Sequence, residues 1–416
     1  MSRGTRGLVK AAVLALLAPL ALTACGDGGG EQPRFVDGTT ATAGPAADVP
    51  ASPDAEGRGE QAAAFSFSIT PAANAKNLPV SSEIGVKLDD GEVTSVTLAE
   101  AGGGKVSGKM RDDGSAWVPS SPLKYGKQYT ATVTATKDGG TATQTTTFTT
   151  MGEPGKRVGT GLYLFDGKTY GVAMPVVVEF HPGIAKKDRA AVQKRMFVST
   201  DPPQPGAWHW VSNGTQAYYR APEYWQPGTK ITTRIALGGH PMGQGRYGDT
   251  DRKATAKIGD RFEMKVDNKS KKMTVLKNGK VVKTMPVSLG KKSTPSASGT
   301  MVVMEKKEQT VFDTTNDPNP ADRYRVDIAF AQRLTWSGQY IHAAPWSVGQ
   351  QGRTNVSHGC VNVSTENARW LFGQTKVGDP VTVTGTEEKL SPGNGWTAWN
   401  MSWKEFIKGS ALPVTQ

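Results

Sequence analysis

Cysteine is almost absent from this chain. Only Cys25 and Cys360 occur in 416 residues, which excludes a disulfide-stapled scaffold and any Cys-x-x-Cys zinc knuckle. A membrane-spanning run is also lacking near the N-terminus, because the uncharged stretch from Ala11 to Ala24 is too short to cross a bilayer comfortably. Despite a formal charge of +12, no basic helix or aromatic–basic strand motif is present, so nucleic acid is not the expected partner.

What the N-terminus does contain is the order of an export leader. Arg3, Arg6 and Lys10 precede the uncharged stretch, and Leu22-Thr23-Ala24-Cys25 closes it. The closing tetrapeptide resembles a bacterial lipobox, which implies cleavage after residue 24 and acylation of Cys25 on its sulfur and amine. Several acyl chains on one residue would anchor the protein stably to a membrane, where one chain would not. The expected location is the outer face of the cytoplasmic membrane, with the folded part reaching into the cell wall. Residues 25–64 are rich in Gly, Ala, Pro and Asp without apolar periodicity, and read as a lipidated, disordered tether. After Cys25 such a coil spans about 35 Å on average and about 130 Å when stretched. The three basic residues of the leader take the formal charge from +12 to +9 for the remainder. Attraction to an anionic wall polymer or membrane surface fits that excess in an exported protein.

The ordered part reads as mainly β, with 49 Gly, 26 Pro and many Thr/Val runs. Residues 65–150 alternate in short segments, among them Phe65–Ile69, Ile84–Leu88, Val93–Leu98 and Tyr129–Ala135. Strands at this spacing predict a β-sandwich. Residues 151–252 repeat the plan, because the turn through Lys124, Tyr125 and Gly126 is echoed 102 residues later around Gly228. One immunoglobulin-like domain length separates the two turns, so two tandem sandwiches are expected. Residues 253–385 form a third block. It opens with a hairpin signal, two alternating runs around Asn278-Gly279. Glu305 to Arg325 is long and polar and reads as a functional loop. Ser364 or Thr365 caps a short helix through Phe372, with Gly373 at its C-terminal end. Residues 386–416 hold Trp396, Trp399 and Trp403 and are expected to pack on the third block.

The chemistry concentrates at Ser357-His358-Gly359-Cys360-Val361-Asn362, downstream of His342. With Cys25 committed to lipid, Cys360 has no disulfide partner. An unpaired thiol in an exported protein is a hazard unless it is used. A cysteine nucleophile needs a base, a means of fixing that base's tautomer, and donors for an oxyanion. His342 ends the apolar strand Tyr340-Ile341 and is well placed to be aimed as a base. His358 would share a face with Cys360 if the segment were a strand. Gly359 removes side-chain bulk and leaves N–H groups to face an incoming carbonyl. A zinc site through His342, His358 and Cys360 is the competing reading, without a clear fourth ligand. An inert structural turn is another. His181, His209 and His240 read as structural.

His342 followed by the Ser-His-Gly-Cys-Val-Asn run resembles the L,D-transpeptidases with a YkuD-type catalytic domain. Thr294-Pro295 with Gly299 resembles that family's Thr-Pro-x-Gly turn with extra residues inserted. The resemblance spans about residues 255–385, and the flanking plan is similar to lipoprotein members with two immunoglobulin-like domains. It implies Cys360 as the acylated nucleophile and His342 as general base, its imidazole oriented by the backbone carbonyl of Ala343. It implies His358, Gly359 and Cys360 as the oxyanion site, Tyr324 on a lid loop, Ser357 and Asn362 as braces, and Trp346 as a wall of the cleft. The partners implied are peptidoglycan stem peptides, a donor tetrapeptide and an acceptor diamino acid. The product is a 3→3 cross-link, carbapenem-type β-lactams are covalent inhibitors, and no cofactor or metal is needed. An L,D-carboxypeptidase would use the same residues, and a non-catalytic wall-binding scaffold is the remaining alternative.

Overall fold

The computed structural model describes residues 65–316, 318–320 and 323–414. Cys25, the leader and the tether lie outside the described residues. The chain is mainly β, and its sheets fall into three successive pairs.

The first pair has a four-stranded sheet of Ser68–Thr70, Ile84–Lys87, Ala116–Pro119 and Gly108–Met110. It faces a five-stranded sheet built on the long hairpin of Gln128–Lys137 and Gly140–Thr150. Along Tyr129–Ala135 every second residue is buried, and these side chains join Ile84, Leu98 and Phe148 in one core. Complete burial of each large aliphatic or aromatic side chain contributes roughly 1.5–3 kcal/mol. The second pair repeats the architecture over Arg157–Ile258. The turn glycines Gly126 and Gly228 both have positive φ, 63° and 89°, which explains why both copies keep glycine there. Strand Arg252–Ile258 pairs with Lys230–Ile235 from Arg252 to Lys257 and with Thr169–Tyr170 at Lys257 and Ile258. The boundary expected at 252/253 therefore moves past Ile258, because Ala254, Ala256 and Ile258 alternate into the sandwich core.

The third unit has a six-stranded sheet and a four-stranded sheet. The first runs in the order Lys280–Pro286, Lys272–Lys277, Phe262–Asp267, Pro380–Thr384, Ala297–Val302, Glu388–Lys389. The second runs Glu305–Asp313, Arg325–Arg333, Tyr340–Ala343, Val361–Val363. The first part of the stretch expected as a loop, Glu305–Asp313, is thus a strand, in register with Arg325–Arg333 from Glu305↔Arg333 to Asp313↔Arg325. It projects into solvent, so no apolar alternation marks it; only the segment around 314–324 connects the two arms. Helix Thr365–Gln374 starts at Ser364, whose hydroxyl accepts the Asn367 N–H, and Gly373 lies inside it, not at its cap. Thr375 ends the helix, with its N–H bonded to Leu371 O.

The tail packs on the third unit, where Glu388–Lys389 pairs with Ala297–Ser298 and Asn400 Oδ1 accepts the Thr300 N–H at 3.1 Å, and it reaches a second partner that was not expected. Trp396, Ala398 and Phe406 belong to the core of the second sandwich, with Trp399 and Trp403 packed against it. Arg220, 1% exposed, reaches through to donate to Ala398 O at 3.0 Å and Met401 O at 3.0 Å. Its guanidinium lies 4.3 Å from the Trp399 ring and 4.4 Å from that of Phe406, and burial lowers its pKa to about 10. Tryptophan spacing identifies an apolar face but carries no information about which neighbour it meets. The same junction brings Val377–Asp379 onto the sandwich, with Gly171 N–H donating to Val377 O at 2.8 Å and Ala173 N–H to Gly378 O at 3.0 Å.

Candidate active site

Strand Tyr340–Ala343 runs parallel to Val361–Val363, with His342 opposite Asn362. Cys360 immediately precedes the second strand, so one short ladder carries both His342 and the residue after Cys360. A third segment closes the other side, as Ser288 exchanges backbone hydrogen bonds with Asn362 at 3.1 and 2.9 Å. The Asn362 amide donates to Ser347 Oγ at 3.2 Å.

The turn before Cys360 is a clasp. Ser357 Oγ donates to Cys360 O at 2.7 Å and accepts the Gly359 N–H at 3.1 Å. Gly359 has φ +117°, a conformation that side-chain-bearing residues rarely adopt. Of the backbone N–H groups around this glycine, its own is already held by Ser357. The segment is a bend, not a strand. His358 consequently does not share a face with Cys360 by strand alternation. It is exposed, its Nε2 accepts from Lys291 Nζ at 3.0 Å, and its ring centroid lies 5.1 Å from that of Tyr324.

His342 is 3% exposed, and its Nδ1 lies 2.8 Å from Ala343 O. A carbonyl can only accept, so Nδ1 carries the proton and Nε2 keeps its lone pair. This is the tautomer that can receive a thiol proton. Phe312 stands edge-on to the ring at 5.4 Å, and Trp346 lies 6.0 Å away. Burial depresses His342 to about 4, against the opposing effect of the Ala343 carbonyl. Cys360 is buried too, its thiol directed to Gly338 O at 3.7 Å. Burial pushes the thiol up to about 12, opposed by the Tyr340 N–H. At neutral pH Cys360 is therefore a thiol and His342 a neutral imidazole.

Trp346, whose ring lies against His342, is 55% exposed, and Val348 and Val356 are exposed apolar residues in the same stretch of chain. Tyr324 closes the connecting segment across the site, its N–H on Thr314 Oγ1 at 2.9 Å. Among the described residues no group of three or more His, Cys, Asp or Glu is placed to hold a metal ion. Sequence reasoning missed Lys291, Phe312, Gly338 and Ser296, which stand in no short motif; only the Thr294-Pro295 turn hints at the last. A cavity of about 750 Å³ between Trp210, Trp336 and Met401 lies apart, and none of its lining residues belongs to the Cys360 turn.

Two family models match the chain. The bacterial Ig domain covers residues 75–241, and the L,D-transpeptidase catalytic domain covers residues 261–383. Over 344 residues the chain is 36% identical to L,D-transpeptidase 2 of Mycobacterium tuberculosis, covering 81% of this chain and 83% of that protein. It is 34% identical to L,D-transpeptidase 5 of the same species over 352 residues, with 82% and 76% covered. A solved L,D-transpeptidase in complex with imipenem shares 34% identity over 56% of this chain and all of that chain, with a TM-score of 0.46.

Proposed function

The chain belongs to the L,D-transpeptidase family, and on that premise we propose that it joins peptidoglycan stem peptides through an acyl-enzyme on Cys360. As Sγ attacks the carbonyl of the third residue of a donor tetrapeptide, His342 Nε2 takes the thiol proton. The tetrahedral intermediate collapses by breaking the amide bond to the terminal D-Ala, whose amine leaves with the proton from His342. The side-chain amine of a diamino acid on a neighbouring stem then attacks the thioester. His342 accepts its proton and returns it to the sulfur, leaving a 3→3 cross-link. His358 and Tyr324 flank the donor, Trp346 walls the cleft, and Asn362 braces the ladder.

The observation that carries this reading is the Ala343 carbonyl on His342 Nδ1 at 2.8 Å, which leaves Nε2 basic beside the nucleophile's strand. Incubation with disaccharide-tetrapeptides followed by mass spectrometry tests it. Cross-linked dimers with release of D-Ala are expected; tripeptide monomers alone would make the protein an L,D-carboxypeptidase. Retention of full activity by Cys360→Ala would instead support a scaffold role.

Carbapenem-type β-lactams are proposed to acylate Cys360 through their strained amide carbonyl. Attachment to the outer face of the cytoplasmic membrane through lipid on Cys25 is proposed from the lipobox. Cys25→Ser should then move the protein to the soluble fraction, and unchanged membrane association would refute the anchor.

A further inference from the structure

The Thr294–Pro295 turn has no part in the chemistry above, yet it reaches the residue before the nucleophile. Ser296, 1% exposed, places its Oγ 2.7 Å from Gly359 O and 2.9 Å from Gly290 N. A hydroxyl has one hydrogen, and the Gly290 N–H can only donate. The hydrogen of Ser296 therefore goes to the Gly359 carbonyl, and both of the hydroxyl's bonds are fixed. Its base is equally fixed. A Cβ on Gly290 would come within 2.2 Å of Thr294 O, so the turn lies directly on that glycine. Gly290 is in turn bridged to Ser357, with Lys291 N–H on Ser357 O at 2.9 Å.

The consequence follows from peptide geometry. A trans peptide is planar, and its C=O and N–H point in opposite directions. The Gly359–Cys360 peptide is trans. Pinning Gly359 O inward at Ser296 therefore turns the Cys360 N–H outward. Cys360 lies outside the strand ladder, and no acceptor among the described residues takes that N–H. The preceding N–H, that of Gly359, is already held by Ser357 Oγ. Cys360's own N–H is thus the donor this turn leaves for an oxyanion, an arrangement that acyl-transfer sites elsewhere also use.

We infer that Ser296 is a positioning residue for acyl transfer: its hydroxyl holds the Gly359 carbonyl and so aims the Cys360 N–H at the oxyanion of the tetrahedral intermediate. This rests on Cys360 being the acylated nucleophile. Ser296 touches no substrate and acts only through the peptide plane.

The test compares two reactions of the same sulfur in the full chain. Acylation by imipenem passes through an oxyanion, whereas alkylation by iodoacetamide displaces iodide and forms none. In Ser296→Ala the acylation rate should fall about 10- to 100-fold, short of or equal to the loss of a whole oxyanion donor, while alkylation stays within about threefold. Ser296→Thr keeps the hydroxyl and should keep the ratio of the two rates. Equal loss of both reactions in Ser296→Ala would mean a general disturbance of the site and overturn the proposal. So would an unchanged acylation rate, or a lost ratio in Ser296→Thr, which remains informative if the alanine variant does not fold. Absence of any imipenem adduct on the wild-type Cys360 would instead sink the nucleophile assignment itself.

Discussion

Replacing His342 with Gln separates a concerted general base from a preformed ion pair. Burial holds His342 near 4 and Cys360 near 12. The imidazole is therefore already in its basic form above about pH 5, and the thiol stays protonated across the whole neutral range. Wild-type acylation by imipenem should be nearly flat between pH 6 and 9, with its fall on the acid side. Without the base, His342→Gln should lose roughly two to four orders of magnitude at pH 7. With a thiol pKa near 12, the thiolate fraction is about one in 10⁵ at pH 7 and grows tenfold per unit. The variant should consequently regain about a hundredfold between pH 7 and 9 as ionisation replaces the missing base. His358→Ala disturbs the flank shared with Lys291 and Tyr324, which alkali does not rebuild, and should show no comparable gain. Intact-mass time courses across pH give each rate. A wild-type inflection near the ordinary imidazole value would contradict the buried neutral pair. Equal alkaline rescue of both variants, or rescue of His358→Ala alone, would assign the base to the wrong histidine.

Asp379 offers a stability test at the junction with the sandwich. It is fully buried, its Oδ2 accepts the Lys376 N–H at 2.7 Å, and burial raises its pKa from 3.8 to about 7, opposed by Lys376 and Lys306. The folded chain thus holds a proton that the unfolded chain releases. The stabilisation is complete below about pH 4 and is lost as pH rises through 7, a swing on the order of 4 kcal/mol. Asp379→Asn keeps an acceptor but cannot ionise, so it should gain on the wild type in denaturant midpoint between pH 5 and 8; a constant difference would refute the account. Arg220→Met should expose the tail to proteolysis and cost about 2–4 kcal/mol, since the carbonyls of Ala398 and Met401 lose their donor. Arg220→Lys should not restore it, because an ammonium lacks the planar fork. Wild-type-like melting and protease resistance in the methionine variant would show that the tail is held by its tryptophans alone.

Alternation along Tyr129–Ala135 and the echoed turns at Gly126 and Gly228 made both sandwiches legible, because half-buried strands leave a period of two and tight turns demand glycine. The Cys360 turn was legible for a different reason: one cysteine in a Ser-His-Gly-Cys run downstream of a second histidine has few uses. What stayed hidden depended on partners distant in sequence. Strand Glu305–Asp313 is an exposed hairpin arm, so burial leaves no period in it. The tail's docking on Arg220 is a long-range choice with no local trace. Spacing alone leaves open whether His358 shares a face with Cys360, and Ser357 decides it by bending the chain, binding both the Gly359 N–H and the Cys360 carbonyl. Ser296 belongs to a turn whose role appears only when Gly359 O is seen beside it.

The central claim is that acyl transfer runs through a covalent bond to Cys360 Sγ. Mixing the full chain with imipenem at neutral pH, recording the intact mass, and mapping the modified peptide after proteolysis tests it most directly. The account predicts a single adduct, on the peptide containing Cys360, absent from Cys360→Ala protein that melts at the wild-type temperature. An adduct on another residue, or one that persists in Cys360→Ala, would contradict it.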